Sequence, residues 1–177
     1  ERLPLTLLPG SEVHIHPEYL EQLKGKKLIT LNQTGKYVFL ELPYNQGIPS
    51  LENLVFEIQL LGVVPIIPHP ERTQEFRKHP KKLYELVKKG ALTQLTASSL
   101  LGSFGKEVER FSFQLLEANL AHLIASDGHH AERRKPQLKE AYSVIRQRFG
   151  PAMVATLQEN AAKVARGEMM YTAPPQR

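Results

Sequence analysis

The chain has 177 residues, of which 41% are hydrophobic and 23% charged, with no cysteine and a formal net charge of +5. This composition indicates one globular domain with a buried core, and it excludes disulfides, cysteine-ligated zinc and a thiolate nucleophile. No segment reaches the roughly 18 apolar residues of a membrane span, and residues 1–4 do not resemble a signal peptide, so we expect a soluble, cytoplasmic protein without a membrane span.

Apolar strands alternate with amphipathic helices, which is the pattern of repeated βα units. The expected elements are a strand over residues 5–15, a helix over 18–23, a strand over 37–42, a helix over 51–61, a strand over 63–68, a helix over 80–89, a strand over 92–96, a helix over 104–119, a strand over 121–125 and helices from 136 and over 151–166. Pro65 indicates an edge position, a bulge or a strained entry for its strand. Residues 1–167 are expected to form a single domain, and residues 168–177 a frayed C-terminal tail.

Polar side chains accompany three of these strands. Glu12 lies on the first, His69 directly follows residues 63–68, and Asp127 and His129 follow residues 121–125. Functional groups of βα folds gather at the carboxyl ends of the strands, so we expect one shared pocket. A carboxylate, a histidine and an Asp-x-His pair suit manganese, zinc or iron, and two such ions could share Glu12 and hold a hydroxide for attack on phosphorus. Taken singly, Glu12 also fits a solvated carboxylate and His69 a turn residue.

Two arginines are candidates for binding the substrate. Arg72 follows His69 by three residues, so an intervening turn would direct its planar guanidinium towards a phosphate beside the metals. The alternative for Arg72 is a surface ion pair with a neighbouring glutamate. Arg134, seven residues after Asp127, is the second candidate. The remaining histidines are interpreted as structural or solvated: His14, His16, His79, His122 and His130.

Basic residues form two clusters along the chain. The first contains Arg77, Lys78, Lys81, Lys82, Lys88 and Lys89, and the second Arg133, Arg134, Lys135, Lys139, Arg146 and Arg148. Such clusters suit an anionic partner, although they also fit the solvated faces of helices. The aromatic residues typical of single-strand nucleic-acid binding are not interleaved with them, so nucleic acid is not an expected partner.

Four segments carry a resemblance to a known family: residues 8–12 (LPGSE), 68–72 (PHPER), 94–106 (QLTASSLLGSFGK) and 125–129 (ASDGH). In this order and spacing they resemble the metal-dependent bacterial protein-tyrosine phosphatases encoded with capsule and exopolysaccharide genes, the CpsB/CapC family. That family belongs to the polymerase and histidinol phosphatase (PHP) superfamily. The resemblance covers nearly all of residues 5–166.

The resemblance implies an α/β fold, a distorted (β/α)7 TIM-like barrel of PHP type that is represented here by its C-terminal βα units. It also implies two or three divalent metals, with Mn²⁺ expected first and Fe or Zn as alternatives. By position, Glu12 matches the bridging metal carboxylate, His69 a ligand of the second metal, Asp127 of the first and His129 of the third. Arg72 and Arg134 match the groups that hold the phosphate.

The reaction that the resemblance implies is hydrolysis of phosphotyrosine, on the tail of a bacterial tyrosine kinase that controls polysaccharide synthesis. The lack of cysteine agrees, because other tyrosine phosphatases use a thiolate. Two alternatives stay open: a small-molecule phosphoesterase of histidinol-phosphatase type, and a non-catalytic regulatory module that binds an acidic tail. The sequence also leaves a homo-oligomer open.

One feature of the family is missing from the sequence. Family members begin with an Asp-x-His-x-His strand and carry a further metal-binding histidine before the bridging glutamate. His14 and His16 have the spacing but follow Glu12, so they do not match that position. The chain is therefore expected to lack the N-terminal third of the enzyme and, alone, to bind metal and turn over substrate poorly.

Overall fold

The computed structural model of the protein describes residues 5–43, 50–132 and 134–176. Its helices are α1 (Tyr19–Lys24), α2 (Leu51–Leu60), α3 (Gln74–Lys78), α4 (Pro80–Lys88), α5 (Ala97–Leu100), α6 (Lys106–Glu117), α7 (Leu138–Phe149) and α8 (Pro151–Arg166). The strands are β1 (Tyr37–Phe39), β2 (Val64–Pro68), β3 (Leu92–Thr96) and β4 (Leu123–Ala125). Short 3-10 turns lie at Leu31–Gln33 and Pro70–Arg72. Residues 1–4 of the expected domain, residue 177 of the expected tail and Arg133 of the second basic cluster lie outside the described residues.

The four strands form one parallel sheet in the order β1-β2-β3-β4. Parallel neighbours need a crossover connection, and helices α2, α3–α4 and α5–α6 lie between successive strands in the chain. The expected α/β class with repeated βα units is confirmed. Because all the strands run the same way, their carboxyl ends lie at one edge of the sheet.

The sheet is buried on both faces, which explains why strands β1, β2 and β4 are almost entirely apolar and why the threonines of β3 are buried. Alternate residues enter two clusters: Ile67 and Leu95 pack into the larger one beneath the helices, whereas Ile66 and Leu92 pack into a smaller one with Val164 of α8. This burial holds the strand ends rigidly, and rigid ends are needed to position a site. None of the helices in the described residues is both long and apolar enough to cross a bilayer.

The prediction of a strand over residues 5–15 is wrong. In the structure this segment is irregular and contacts the sheet at an isolated parallel bridge between His14 and Glu41. Ile15 N donates to Glu41 O at 2.9 Å, and Glu41 N donates to Val13 O at 3.2 Å. Leu5 and Leu7 are largely exposed, so pairing of this segment with β1 would gain little from the burial of apolar side chains.

Pro65 lies in an interior strand, because β2 pairs with β1 on one side and with β3 on the other. The bridge to β1 pairs Pro65 with Val38, but pairing with β3 begins only at Ile66. Val64 N already donates towards the β1 side, to Lys36 O. Proline has no backbone N–H to donate. At Pro65 that donor would face β3 one residue before the pairing of β2 with β3 begins, so the sheet loses no hydrogen bond.

The tail beyond α8 is docked in its described part, so the expectation of a frayed end is wrong there. Gln176 N donates to Ala118 O at 2.8 Å, and Asn119 Nδ2 donates to Pro174 O at 3.2 Å. Tyr37 donates its hydroxyl proton to Glu168 O at 2.6 Å. The first two bonds satisfy polar groups at the carboxyl end of α6, and all three hold the tail against the domain.

Candidate metal centre and phosphate site

The carboxyl edge of the sheet carries the candidate site. His69 follows β2 directly, and Asp127 lies two residues beyond β4. The structure places Glu12, His69, Asp127, His129 and Arg134 around one cleft of about 230 Å³. A sixth lining residue, which the sequence reasoning missed, is Glu41, two residues beyond β1.

Glu12, Glu41 and His69 form the tightest cluster of ligand-type side chains found in the described residues. One ligand atom from each lies within 4.8 Å of the others. His69 Nε2 is 2.8 Å from Glu12 Oε1 and 3.5 Å from Glu41 Oε1. Two carboxylates and an imidazole that converge this closely fit a divalent cation, which offsets the repulsion between the carboxylates.

Glu41 was missed because it was counted inside the strand expected over residues 37–42. The strand ends at Phe39, and the chain then turns the Glu41 carboxylate towards the cleft. Its side chain is only 12% exposed, which is unusual for a glutamate. A carboxylate at the end of an otherwise apolar run was the one sequence signal that pointed to it.

His69 and Asp127 have an uncommon backbone conformation. Their φ angles are 36° and 47°, in the left-handed region that non-glycine residues seldom occupy. His69 is held there by its N–H, which donates to Gln94 O on β3 at 2.7 Å. Residues kept in such conformations cluster at functional sites, where the surrounding structure compensates their cost.

Asp127 joins the cleft to the two candidate arginines. Its Oδ2 accepts hydrogen bonds from Arg72 Nη1 at 2.8 Å and from Arg134 Nη2 at 2.5 Å. Arg72 does not itself line the cleft, but its largely buried ion pair holds it against Asp127, which does. His129 lies at the exposed rim and donates its Nδ1 proton to Asp127 O at 2.9 Å, which leaves Nε2 as the nitrogen with a lone pair.

Glu71 anchors the turn that carries His69 and Arg72. Its side chain is fully buried, and Oε1 accepts hydrogen bonds from Thr96 N at 2.9 Å and from Ser99 Oγ at 2.7 Å. Burial raises the pKa of the Glu71 carboxyl, and its Oε2 has no hydrogen-bond partner among the described residues. The turn after β2 is thus tied to the end of β3, a role that the sequence did not indicate.

The first basic cluster is partly neutralised in the structure. Lys82 pairs with Glu75, and Lys89 pairs with Glu52. Arg77 Nη1 donates to the carbonyl of Glu71 at 3.0 Å, so this arginine supports the same turn. Several residues of this cluster therefore lie on helix surfaces and are paired with neighbouring groups of the same chain.

Comparison with known proteins identifies the family. A model of the family described as "Capsular polysaccharide synthesis, CpsB/CapC" matches residues 1–166. The chain belongs to the CpsB/CapC family. The expected family resemblance is thereby confirmed over most of the sequence.

Relatives in this family carry phosphatase names. The chain is 42% identical over 176 residues to the tyrosine-protein phosphatase YwqE of Bacillus subtilis, and it covers 69% of that protein. It is 40% identical to the putative tyrosine-protein phosphatase CapC of Staphylococcus aureus and 32% identical to CpsB of Streptococcus agalactiae. The alignments take in 81% and 82% of this chain but span only 56% and 62% of those two relatives.

The fold has a solved counterpart at the same level of identity. The chain aligns with a TM-score of 0.94 and 42% identity to a chain from the crystal structures of YwqE and Streptococcus pneumoniae CpsB, described as unique metal-dependent tyrosine phosphatases. The alignment covers 98% of this chain and 70% of that chain. The sheet and the cleft described above therefore belong to a fold that is already known in metal-dependent phosphatases.

Proposed function

We propose that this chain carries the catalytic cleft of a metal-dependent protein-tyrosine phosphatase of the CpsB/CapC family. The observation that carries the proposal is the meeting of the Glu12–Glu41–His69 cluster with Arg72 and Arg134 at one edge of the sheet. Carboxylates and imidazole bind divalent cations, and guanidinium groups bind phosphate. Together they suit the hydrolysis of a phosphate monoester, in which cations activate the attacking water and positive groups stabilise charge on the phosphoryl oxygens.

The residues divide into two groups. Glu12, Glu41 and His69 would hold a divalent cation, and Asp127 and His129 would each be a ligand of a further cation beside it. Bound cations would supply Lewis-acid polarisation of the phosphoryl oxygens. Arg72 and Arg134 would bind the remaining phosphate oxygens and stabilise the charge that develops on them.

We extend the proposal to the substrate and the setting. The substrate would be a phosphotyrosine in the tail of a tyrosine kinase that acts in capsule or exopolysaccharide synthesis, in the cytoplasm. Mn²⁺ would be the preferred metal, and the complete enzyme would form the (β/α)7 barrel of PHP type. The family match and the names of the relatives support the reaction class, and the donor set supports the metal.

The test is hydrolysis of a phosphotyrosine peptide with and without Mn²⁺. We expect EDTA to abolish turnover and iodoacetamide to leave it unchanged, because the ligands are carboxylates and histidines and the chain has no cysteine. Alkylation-sensitive turnover that survives EDTA would contradict the mechanism. A preference for histidinol phosphate would favour the small-molecule phosphoesterase, and peptide binding without turnover would favour a regulatory module.

A further inference from the structure

Phe104 lies beside the candidate phosphate-binding arginine. It belongs to the loop between α5 and α6, and its ring centroid is 4.5 Å from Cζ of Arg72. Residue Phe104 is only partly buried, so the fold does not enclose it completely. The contact with Arg72 accounts for the position of the ring. It leaves the solvent-accessible part of Phe104 available to contact a ligand.

The backbone on both sides of Phe104 is tightly constrained. Gly102 and Gly105 have φ angles of 78° and 93°, a region that is open to glycine but strained for other residues. Ser103 N donates to Ser98 O at 3.0 Å, and Gly105 N donates to Gly102 O at 3.0 Å. These turns fix the direction in which the aromatic ring leaves the main chain, so its place next to Arg72 is built into the loop.

The shape of a guanidinium separates two kinds of contact. Its N–H groups bind anions in the plane of the group, whereas its face stacks on aromatic rings. In the structure Arg72 Nη1 already donates to the carboxylate of Asp127, and Arg72 Cζ lies over the Phe104 ring, 4.5 Å from its centroid. A phosphate bound in the plane of Arg72 would therefore lie close to the Phe104 ring.

An aryl phosphate differs from an alkyl phosphate in the group attached to the bridging oxygen. Its flat ring begins one bond beyond that oxygen and is therefore available to pair with a neighbouring aromatic ring, and such rings attract one another at centroid separations of about 4.5–7 Å. An alkyl chain at the same place offers less surface and no ring to pair with Phe104.

From these contacts we infer that Phe104 is a specificity-determining residue that contacts the aryl group of the substrate while Arg72 binds its phosphate. The inference rests on the proposed phosphatase function and adds to it a reason for choosing phosphotyrosine over alkyl phosphate monoesters. Phe104 takes no part in the bond cleavage.

The first test measures binding without turnover. Phenylphosphonate and methylphosphonate, which are not hydrolysed, are titrated calorimetrically into the Mn²⁺-loaded protein. We expect tighter binding of phenylphosphonate, and we expect Phe104→Ala to reduce that preference by about two- to tenfold, the range for an aromatic pair. Phe56→Ala is the matched control, because Phe56 is an exposed phenylalanine on α2, whereas Phe104 contacts Arg72.

Two results would overturn the inference. One is equal affinity of the unaltered protein for the two phosphonates. The other is that Phe104→Ala weakens the binding of phenylphosphonate and of methylphosphonate to the same extent, which would mean that the ring only holds Arg72 in place. Phe104→Leu, which keeps apolar bulk without the ring, should retain methylphosphonate binding and lose part of the preference for phenylphosphonate.

The second test uses turnover of a phosphotyrosine peptide. Phe104→Ala should raise KM by about two- to tenfold and leave kcat within about twofold of the unaltered protein. A fall in kcat with unchanged KM would contradict a role in binding the aryl group. If the unaltered protein hydrolyses no phosphate ester, the proposed function fails, and the phosphonate titrations still decide the inference by themselves.

Discussion

Arg72 is the residue whose removal should affect the reaction most directly. It is held beside the cleft by its bond to Asp127, and it contacts the Phe104 ring. We predict that Arg72→Ala lowers kcat/KM for a phosphotyrosine peptide by about a hundredfold or more, as expected when a preorganised group facing phosphate charge is lost. Arg72→Lys should restore activity only in part, since a point charge does not reproduce the planar fork.

The matched control is Arg110→Ala, because Arg110 is an exposed arginine on α6, whereas Arg72 is paired with Asp127 of the cleft. Circular dichroism and metal content should be the same in all three variants. Near-normal activity of Arg72→Ala with an intact fold would show that Arg72 serves only to hold Asp127.

Glu41 provides a second test at the residue scale. Its carboxylate is directed at the same point as the Glu12 carboxylate and the His69 imidazole. We predict that Glu41→Gln weakens Mn²⁺ binding by about tenfold or more, since even partners of metal ligands are worth 10–100-fold. Isothermal titration calorimetry measures the affinity. Glu57→Gln, at an exposed position of α2, is the control, and equal affinities for the two variants would remove Glu41 from the ligand set.

At the scale of elements, the turn Pro70–Arg72 depends on its bond to the end of β3. Glu71→Ala would leave the buried Thr96 N–H and Ser99 hydroxyl without their acceptor. We predict a loss of about 1–3 kcal/mol in the free energy of unfolding, measured by urea denaturation. Glu71→Gln keeps an acceptor oxygen and should lose less, and a Gln variant as unstable as the Ala variant would show that charge rather than hydrogen bonding is required.

The junction of β3 and β4 contains a buried histidine with a pH-dependent effect. Thr93 N donates to His122 Nδ1 at 3.0 Å, and burial lowers the pKa of His122 from 6.5 to about 4. The unfolded chain therefore takes up the proton first as the pH falls. Neutral, buried His122 therefore makes its full contribution to the free energy of unfolding above about pH 6.5, and this contribution is lost progressively as the pH falls to about 4.

We predict that protonation of His122 lowers the free energy of unfolding by about 3 kcal/mol, since one pKa unit corresponds to about 1.4 kcal/mol. His122→Asn keeps an acceptor for Thr93 and does not titrate in this range. Its unfolding free energy, measured by urea denaturation from pH 4 to pH 7, should fall less steeply with acid than that of the unaltered protein. Parallel curves would contradict the assignment.

At the scale of the whole molecule, the cluster of Glu12, Glu41 and His69 couples metal binding to folding. These residues come from three separate segments and converge only in the folded chain. We predict that Mn²⁺ at 100 times its Kd stabilises the protein by about 2.7 kcal/mol and raises Tm. Differential scanning calorimetry measures the shift, which should be smaller in Glu41→Gln and should vanish with EDTA. A Tm that is unchanged by Mn²⁺ would contradict a metal site in this chain.

Local sequence patterns predicted the larger part of the architecture and all the residues that line the cleft except Glu41. The alternation of strands and amphipathic helices predicted a parallel α/β sheet, because side-chain periodicity reports which faces are buried. His69 and Asp127 were found because they directly follow strands. The absence of cysteine limited the candidate metal ligands to histidines and carboxylates.

Tertiary structure decided what local patterns do not encode. Glu12 and His69 are separated by 57 positions in the chain yet meet at 2.8 Å, and the inclusion of Glu41 depends on where β1 ends. The burial of Glu71 and the contact of Phe104 with Arg72 arise from packing between the turn after β2 and the elements that come after β3. Periodicity describes one segment at a time, whereas the distance between remote side chains depends on strand order, register and the packing of helices on the sheet. Those relations exist only when the whole core is assembled.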